Sequence, residues 1–371
     1  MKKLSFRHRQ HLVRKSRKAL RKSIRAKAKS DAIAAQVAEF KRIRDALPVP
    51  LIRSDKFKHS MSFDAPQVFD IFENYEETLA FLLDVRRFFS KGSGRKAGRR
   101  RAWMADFSTI QKLDPASGLL LAAEIDRWCR TTGKKPVSYD YLWPASLRDY
   151  FEDAGMFRLL GIEPKTVHSD EQQADGLRAI SYRSDSLTQG EIADAFRAEL
   201  EELAGEAIGP RQDVYVALSE AMANVVGHAY PSNTRSWSPS IKRRWWLGGS
   251  WQPNERVVTV QIYDHGVGIP RTLPKSAHWF ELVPLLRKLD PEGTDASLIE
   301  AAMQYRRTST GEQGRGKGMA QMAEWIDRTS QGSLRILSGS GGLTYLPGQP
   351  PKKRSLPVDF GGTLIEWKVP L

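Results

Sequence analysis

The sequence predicts an α+β protein whose C-terminal unit is an antiparallel sheet backed by helices. Three observations lead there. Apolar residues recur at helical spacing in several long stretches. Alternating or β-branched runs read as paired strands toward the end of the chain. Two glycine-rich turns, each beside a strand or a helix, fall between those elements. The expected units are a basic helical arm over 1–56, a small α/β domain over 57–166 and the C-terminal unit over 167–371.

The chain has 371 residues, 40% hydrophobic and 27% charged. It is therefore globular and long enough for about two domains. Cys129 is the single cysteine, so an intramolecular disulfide and a cysteine-rich zinc site are excluded. It reads as a packed small hydrophobe. No apolar run approaches the roughly 18 residues of a membrane span. The basic N-terminal segment lacks the apolar core of a signal peptide. A soluble, cytoplasmic protein is expected.

Of the formal charge of +15, thirteen units sit in residues 1–30, which hold no acid and leave +2 for the rest. Leu12, Val13, Leu20 and Ile24 line one side of a helix there. Such a block reads as a nucleic-acid contact, a contact with an acidic protein or a membrane surface, or a solubilising tail. The stretch "SDAIAAQVAEFKRIRDAL" continues as a helix to the stop at "PVP".

In the middle unit "TLAFLLDVRRFF" reads as a helix and "KGSGRKAGRRR" as a basic glycine-rich loop. "AWMADFSTI" alternates like a strand, and "ASGLLLAAEIDRWCR" is a helix opening after Asp114 and Pro115. "KPVSYDYL" is a further strand, followed by one helix over "ASLRDYFEDAGMFRLLG". Strands alternating with helices make this unit α/β.

In the C-terminal unit "QGEIADAFRAELEELAG" is an amphipathic helix and "ALSEAMANVVGHAY" is a second. "IKRRWWL" and "ERVVTVQIYD" read as a strand pair turned by "GGSWQPN". "SLRILSG" and "GGTLIEWKVPL" are the last two strands, with a mobile proline-rich excursion, "LPGQPPKKRSLP", between them.

The second of those helices carries more than an apolar face. Glu220, Asn224 and His228 sit four apart and form a polar stripe beside it. "YDHGVGIP" ends a strand with Asp264, Gly266 and Gly268. "GEQGRGKGMAQMAEWI" places Gly314, Gly316 and Gly318 before a helix, where backbone N–H groups favour phosphate. No parallel βαβ unit surrounds these glycines, so they are not a dinucleotide fingerprint. Gly316–Lys317 is followed by Gly318, so they are not a Walker A loop either.

The order of these boxes, ExxxN helix, strand with DxGxG, GxGxG with helix, and a strand with Gly-Gly-Thr, resembles the GHKL ATPase family. That family has the Bergerat ATP-binding sandwich, and the wording "LSEAMANVVGHAY" and "GRGKGM" is closest to the anti-sigma-factor serine kinases. The resemblance covers roughly 200 residues. It implies ATP and magnesium as ligands.

By that resemblance Asn224 matches the position whose amide oxygen coordinates magnesium, and Glu220 matches the general base. Asp264 would accept the adenine amino group, with Gly266 and Gly268 turning beneath the base. Gly314, Gly316 and Gly318 would face the phosphates, with Arg315 and Lys317 as charge partners. Thr363 matches the late threonine near adenine. His228 touches phosphate or packs as an ordinary histidine, and the sequence leaves both open. Residues 271–313 would form the ATP lid.

The middle stretch "MADFSTIQKLDPASGLLLAAEIDRW" with "LRDYFEDAGMFRLLG" resembles a STAS domain, the anti-anti-sigma fold. The family's turn reads Asp-Ser-Ser/Thr-Gly, and its serine after the aspartate accepts phosphate. Here the turn is Pro115-Ala116-Ser117-Gly118, with Ala116 at the acceptor position and Asp114 one place early. The expected function is an anti-sigma-like serine/threonine kinase or partner-switching ATPase. The alternative is a nucleic-acid-associated GHKL ATPase, as in anti-phage defence, using residues 1–30. Expected partners are a regulatory protein, nucleic acid through that arm, and a second copy of the chain.

Overall fold

The computed structural model describes residues 52–54, 60–91, 102–135, 143–161, 176–232, 237–276, 279–290, 292–305, 318–329 and 331–371, with Arg42, Ala46 and Glu163. The arm over 1–30, the loop at 92–101 and the strand expected over 136–142 lie outside these residues.

The described chain is α+β. Seven strands form one antiparallel sheet. They are β6 (Arg178–Asp185), β7 (Trp245–Gln252), β8 (Val257–Asp264), β9 (Ser333–Ser338), β10 (Gly341–Tyr345), β11 (Lys352–Ser355) and β12 (Thr363–Pro370). Their spatial order is β11-β10-β9-β12-β8-β7-β6. Strand residues alternate between two faces. Ile262, Asp264, Thr363 and Ile365 point to the front, and Gln261, Tyr263, Arg335 and Glu366 to the rear.

The front is covered by α5 (Gly190–Ala204), α6 (Arg211–Asn224) and α10 (Gly318–Asp327). Trp367 on β12 donates its indole N–H to the Met322 carbonyl of α10 at 2.9 Å, which locks helix to sheet. Between β8 and α10 the chain forms α7 (Ile269–Thr272), α8 (Trp279–Leu289) and α9 (Asp295–Gln304).

The middle segment has β1 (Ile52–Ser54), β2 (Ser60–Asp64), β3 (Val68–Phe69), β4 (Ala102–Asp106) and β5 (Lys112–Leu113). β2 pairs with β4 in parallel, and β3 with β5, across the helix α1 (Tyr75–Lys91). The helix α2 (Pro115–Thr132) follows, with Asp114 as its N-cap accepting from the Ser117 N–H. Every residue of α2 from Pro115 to Asp126 is buried, because α1 lies on one side and the rear of β7 and β8 on the other. The buried apolar side chains of the middle segment and the sheet therefore form one cluster.

Several expectations are corrected. "GGSW" is not a turn but the centre of β7, and the reversal falls at Pro253–Arg256. Gly248 and Gly249 are there because side chains press on both faces. A Cβ on Gly248 would lie 3.0 Å from Tyr182, and one on Gly249 would lie 2.8 Å from Phe196. The proline-rich excursion contains β11, paired with β10. The single helix expected over 145–161 is two, α3 (Ala145–Asp153) and α4 (Met156–Leu160), broken at Gly155, whose φ is 63°. Among the described residues no helix is long and apolar enough to cross a membrane.

Candidate functional site

Helix α6 begins after Pro210 and buries Val214, Ala217, Leu218, Ala221 and Met222 against its neighbours. Glu220 and Asn224 are left on the adjoining edge, one turn apart. The helix does not run on unchanged through His228. From Val225 to Ala229 it widens into a π turn, a form that concentrates at functional sites. That turn puts His228 in an exposed position on the cavity rim rather than in a packed one.

The cavity has a volume of about 350 Å³ and is lined by Asn224, His228, Asp264, Gly268, Gly318 and Thr363. Glu220 is not a lining residue but lies against Gly318, which is one. A Cβ on Gly318 would lie 2.5 Å from Glu220 Oε2 and 3.5 Å from Asn224 Nδ2, so the start of α10 rests directly on the pair. Residues nearly a hundred positions apart thus meet at one end of the cavity. Gly314, Arg315, Gly316 and Lys317 lie outside the described residues.

The other end is built by the turn after β8. Gly266 N–H donates to Asp264 Oδ1 at 2.6 Å, and Val267 N–H donates to the Ala229 carbonyl at 2.9 Å. Gly266 stands behind the wall, where any Cβ would collide with that same carbonyl. Thr363 is the cross-strand partner of Asp264. Its hydroxyl lies 3.0 Å from Ser338 Oγ, which accepts the Ile269 N–H at 2.8 Å and so anchors α7.

Asp264 is buried, and burial pushes its carboxyl up to about 7, with the Gly266 N–H pulling the other way. A buried carboxylate with a single backbone donor is under-satisfied, and it gains from any further donor in the cavity. Ile262 and Ile365 flank it as apolar walls. One polar acceptor between apolar surfaces suits a flat heterocycle with an amino group.

Thr272, Lys275, Ser276 and Tyr305 also line the cavity. They fall inside the segment expected as the lid, but no spacing rule singled them out. The sequence pattern marks Ser338 only as part of a strand. The even alternation that faces Thr363 and Asp264 to the front is the signal that would have found it.

Residues 185–329 match the family model described as a histidine kinase-like ATPase domain. The match starts at the end of β6, spans α5, α6, β7, β8 and the segment after β8, and closes just after α10. It contains Glu220, Asn224, Asp264 and Gly318, and supports a GHKL-type ATP-binding domain of a regulatory ATPase or kinase. Thr363 and the middle segment lie beyond it. No curated protein matches the chain.

Proposed function

We propose that this chain binds ATP with magnesium in the cavity and acts as an anti-sigma-like serine/threonine kinase or partner-switching ATPase. The observation that carries the reading is the convergence of Glu220 and Asn224 on Gly318, beside a cavity that Asn224, Gly318, Asp264 and Thr363 line.

Asp264, as a carboxylate, accepts the adenine amino group, while Ile262 and Ile365 hold the ring. Among the described residues no three His, Cys, Asp or Glu side chains cluster as a metal site. Magnesium takes few protein ligands and keeps phosphate and water oxygens. Asn224 would hold it through the amide oxygen. Bound magnesium supplies charge neutralisation to the phosphates. Glu220 orients a water or a partner's hydroxyl and holds its proton. His228 and Lys275 stand on the rim as phosphate partners, and the resemblance adds Arg315 and Lys317, which lie outside the described residues.

The middle segment is read as STAS-like from its parallel pairs, β2 with β4 and β3 with β5, and from the capped turn before α2. Its acceptor position is Ala116, so it serves as a docking surface rather than a phosphate-operated switch. The charge of residues 1–30 favours a second reading, a nucleic-acid-associated ATPase. Deleting that arm would then abolish a binding that falls steeply with salt, and unchanged affinity in the deletion removes that reading.

The central test uses labelled ATP with magnesium. Asn224→Ala should lose nucleotide binding. Glu220→Ala should keep binding and lose turnover by about a hundredfold or more. Equal turnover in wild type and the Glu220 variant removes that residue from catalysis.

A further inference from the structure

The residue after Asp264 faces away from the cavity. His265 is 3% exposed and lies on the rear of the sheet, where the middle segment covers it. Its Nδ1 is 2.9 Å from the Tyr263 hydroxyl and 3.5 Å from Glu124 Oε1. Its Nε2 is 3.5 Å from the Ala123 carbonyl. Trp246 packs edge-on to the ring at 4.9 Å, and the His265 backbone N–H donates to the Tyr230 hydroxyl at 3.0 Å. The imidazole is thus surrounded, and its burial keeps it neutral, with a pKa lowered to about 3.

Glu124 is held as firmly. It is 4% exposed and accepts from Arg86 Nε at 3.0 Å, from a second Arg86 nitrogen, and from Arg127 Nε at 3.1 Å. Both arginines are only about one-fifth exposed, so removing the carboxylate would take away the charge partner they share in a largely buried place. A carboxylate with two guanidinium partners is more than packing requires at a helix–sheet joint. Its place beside the residue that follows Asp264 gives it a use.

We infer that Glu124 is a positioning residue for the nucleotide site, acting through His265 on the Asp264–Gly268 turn. Consecutive residues share a peptide plane, so holding His265 by its ring and by its N–H restrains the backbone that carries Asp264. The middle segment thereby completes the adenine end of the cavity without touching it. The phosphate end rests on Asn224, Glu220 and α10, none of which meets this joint. The inference rests on the ATP reading above.

The two ends can be measured separately by calorimetry on the full chain, with magnesium and either ATP or inorganic tripolyphosphate. Glu124→Gln and His265→Gln should each weaken ATP about tenfold, as expected when one buried hydrogen-bonding partner is misplaced. Both should leave tripolyphosphate unchanged. Tyr150→Phe, which breaks the 3.2 Å contact with the Tyr182 hydroxyl on the same rear face, should change neither ligand. His265→Gln introduces no unpaired charge and carries the test if Glu124→Gln does not fold. ATP affinity equal to wild type in a folded variant, or an equal loss of both ligands, overturns the inference. A wild-type protein that takes tripolyphosphate but not ATP overturns the adenine assignment itself.

Discussion

The front and rear of the seven-stranded sheet are built from the same strands, yet they treat buried carboxyl groups in opposite ways. On the front, Asp264 has one backbone donor and a cavity before it, and burial raises its pKa to about 7. On the rear, burial acts in the same direction on Glu124, but Arg86, Arg127 and His265 outweigh it and hold the group well below the usual carboxylate range. The difference lies in what completes each group. Glu124 is completed by the protein, whereas Asp264 is left for a ligand to complete. The alternation at the end of β8, carried one residue beyond it, lets Tyr263–Asp264–His265 serve both faces.

The largest effect on this contrast should come from unpairing the rear. Arg86→Met leaves Glu124 with Arg127 as its remaining guanidinium partner and should cost about 3 kcal/mol of stability in denaturant titration. A loss under about 0.5 kcal/mol would mean that the rear carboxylate is solvated rather than paired.

A smaller effect is expected from neutralising the front. Folded Asp264 keeps its proton up to about pH 7, whereas the unfolded chain releases it near its ordinary value of 3.8. Between those values the folded state binds more protons, so stability contributed by this group is full at low pH and falls as pH rises toward 7. Asp264→Asn should flatten that part of the stability–pH curve by roughly 1 kcal/mol per pH unit. It should also weaken ATP. In the wild type, ATP affinity should rise with pH through about 7, as the carboxylate that accepts the adenine amino group forms. An unchanged curve in the variant would place the titration elsewhere, with Asp114 as the next group to test. Burial raises that carboxyl to about 8, with Glu366 and Asp70 adding to it.

The smallest expected effect is none at all. Ser117 is fully buried at the head of α2, and its hydroxyl oxygen accepts the Ile71 N–H at 2.8 Å. Incubation with ATP and magnesium should leave residues 106–118 without phosphate, so any transferred phosphate would appear on a separate protein. Stoichiometric phospho-Ser117 by mass spectrometry, lost in Glu220→Ala, would show that the rear joint opens.

Glu220 and Asn224 were legible because four residues make one helical turn. The Asp264 turn was legible because its glycines mark a backbone that leaves no room for side chains. Less legible was the stretch Gly248–Gly249. Glycine pairs mark turns when only neighbours in sequence are considered, but here they relieve crowding by Tyr182 and Phe196 from other elements. The π turn at Val225–Ala229 escaped for a related reason, since its residues keep the same apolar spacing as the helix before it.

The sequence by itself determined which residue types stand one helical turn or one strand step apart, because helix and strand geometry fix those distances locally. It therefore put Glu220 and Asn224 on one helix face, while Asp264 and Thr363 were singled out by the resemblance to the GHKL family. Only the tertiary structure decided that Gly318 rests on Glu220, that Thr363 lies across from Asp264, and that α2 seals the rear of the sheet. These meetings depend on strand order and on which face each helix covers. Both are set by pairing and burial among residues far apart in the chain, and local spacing does not encode either.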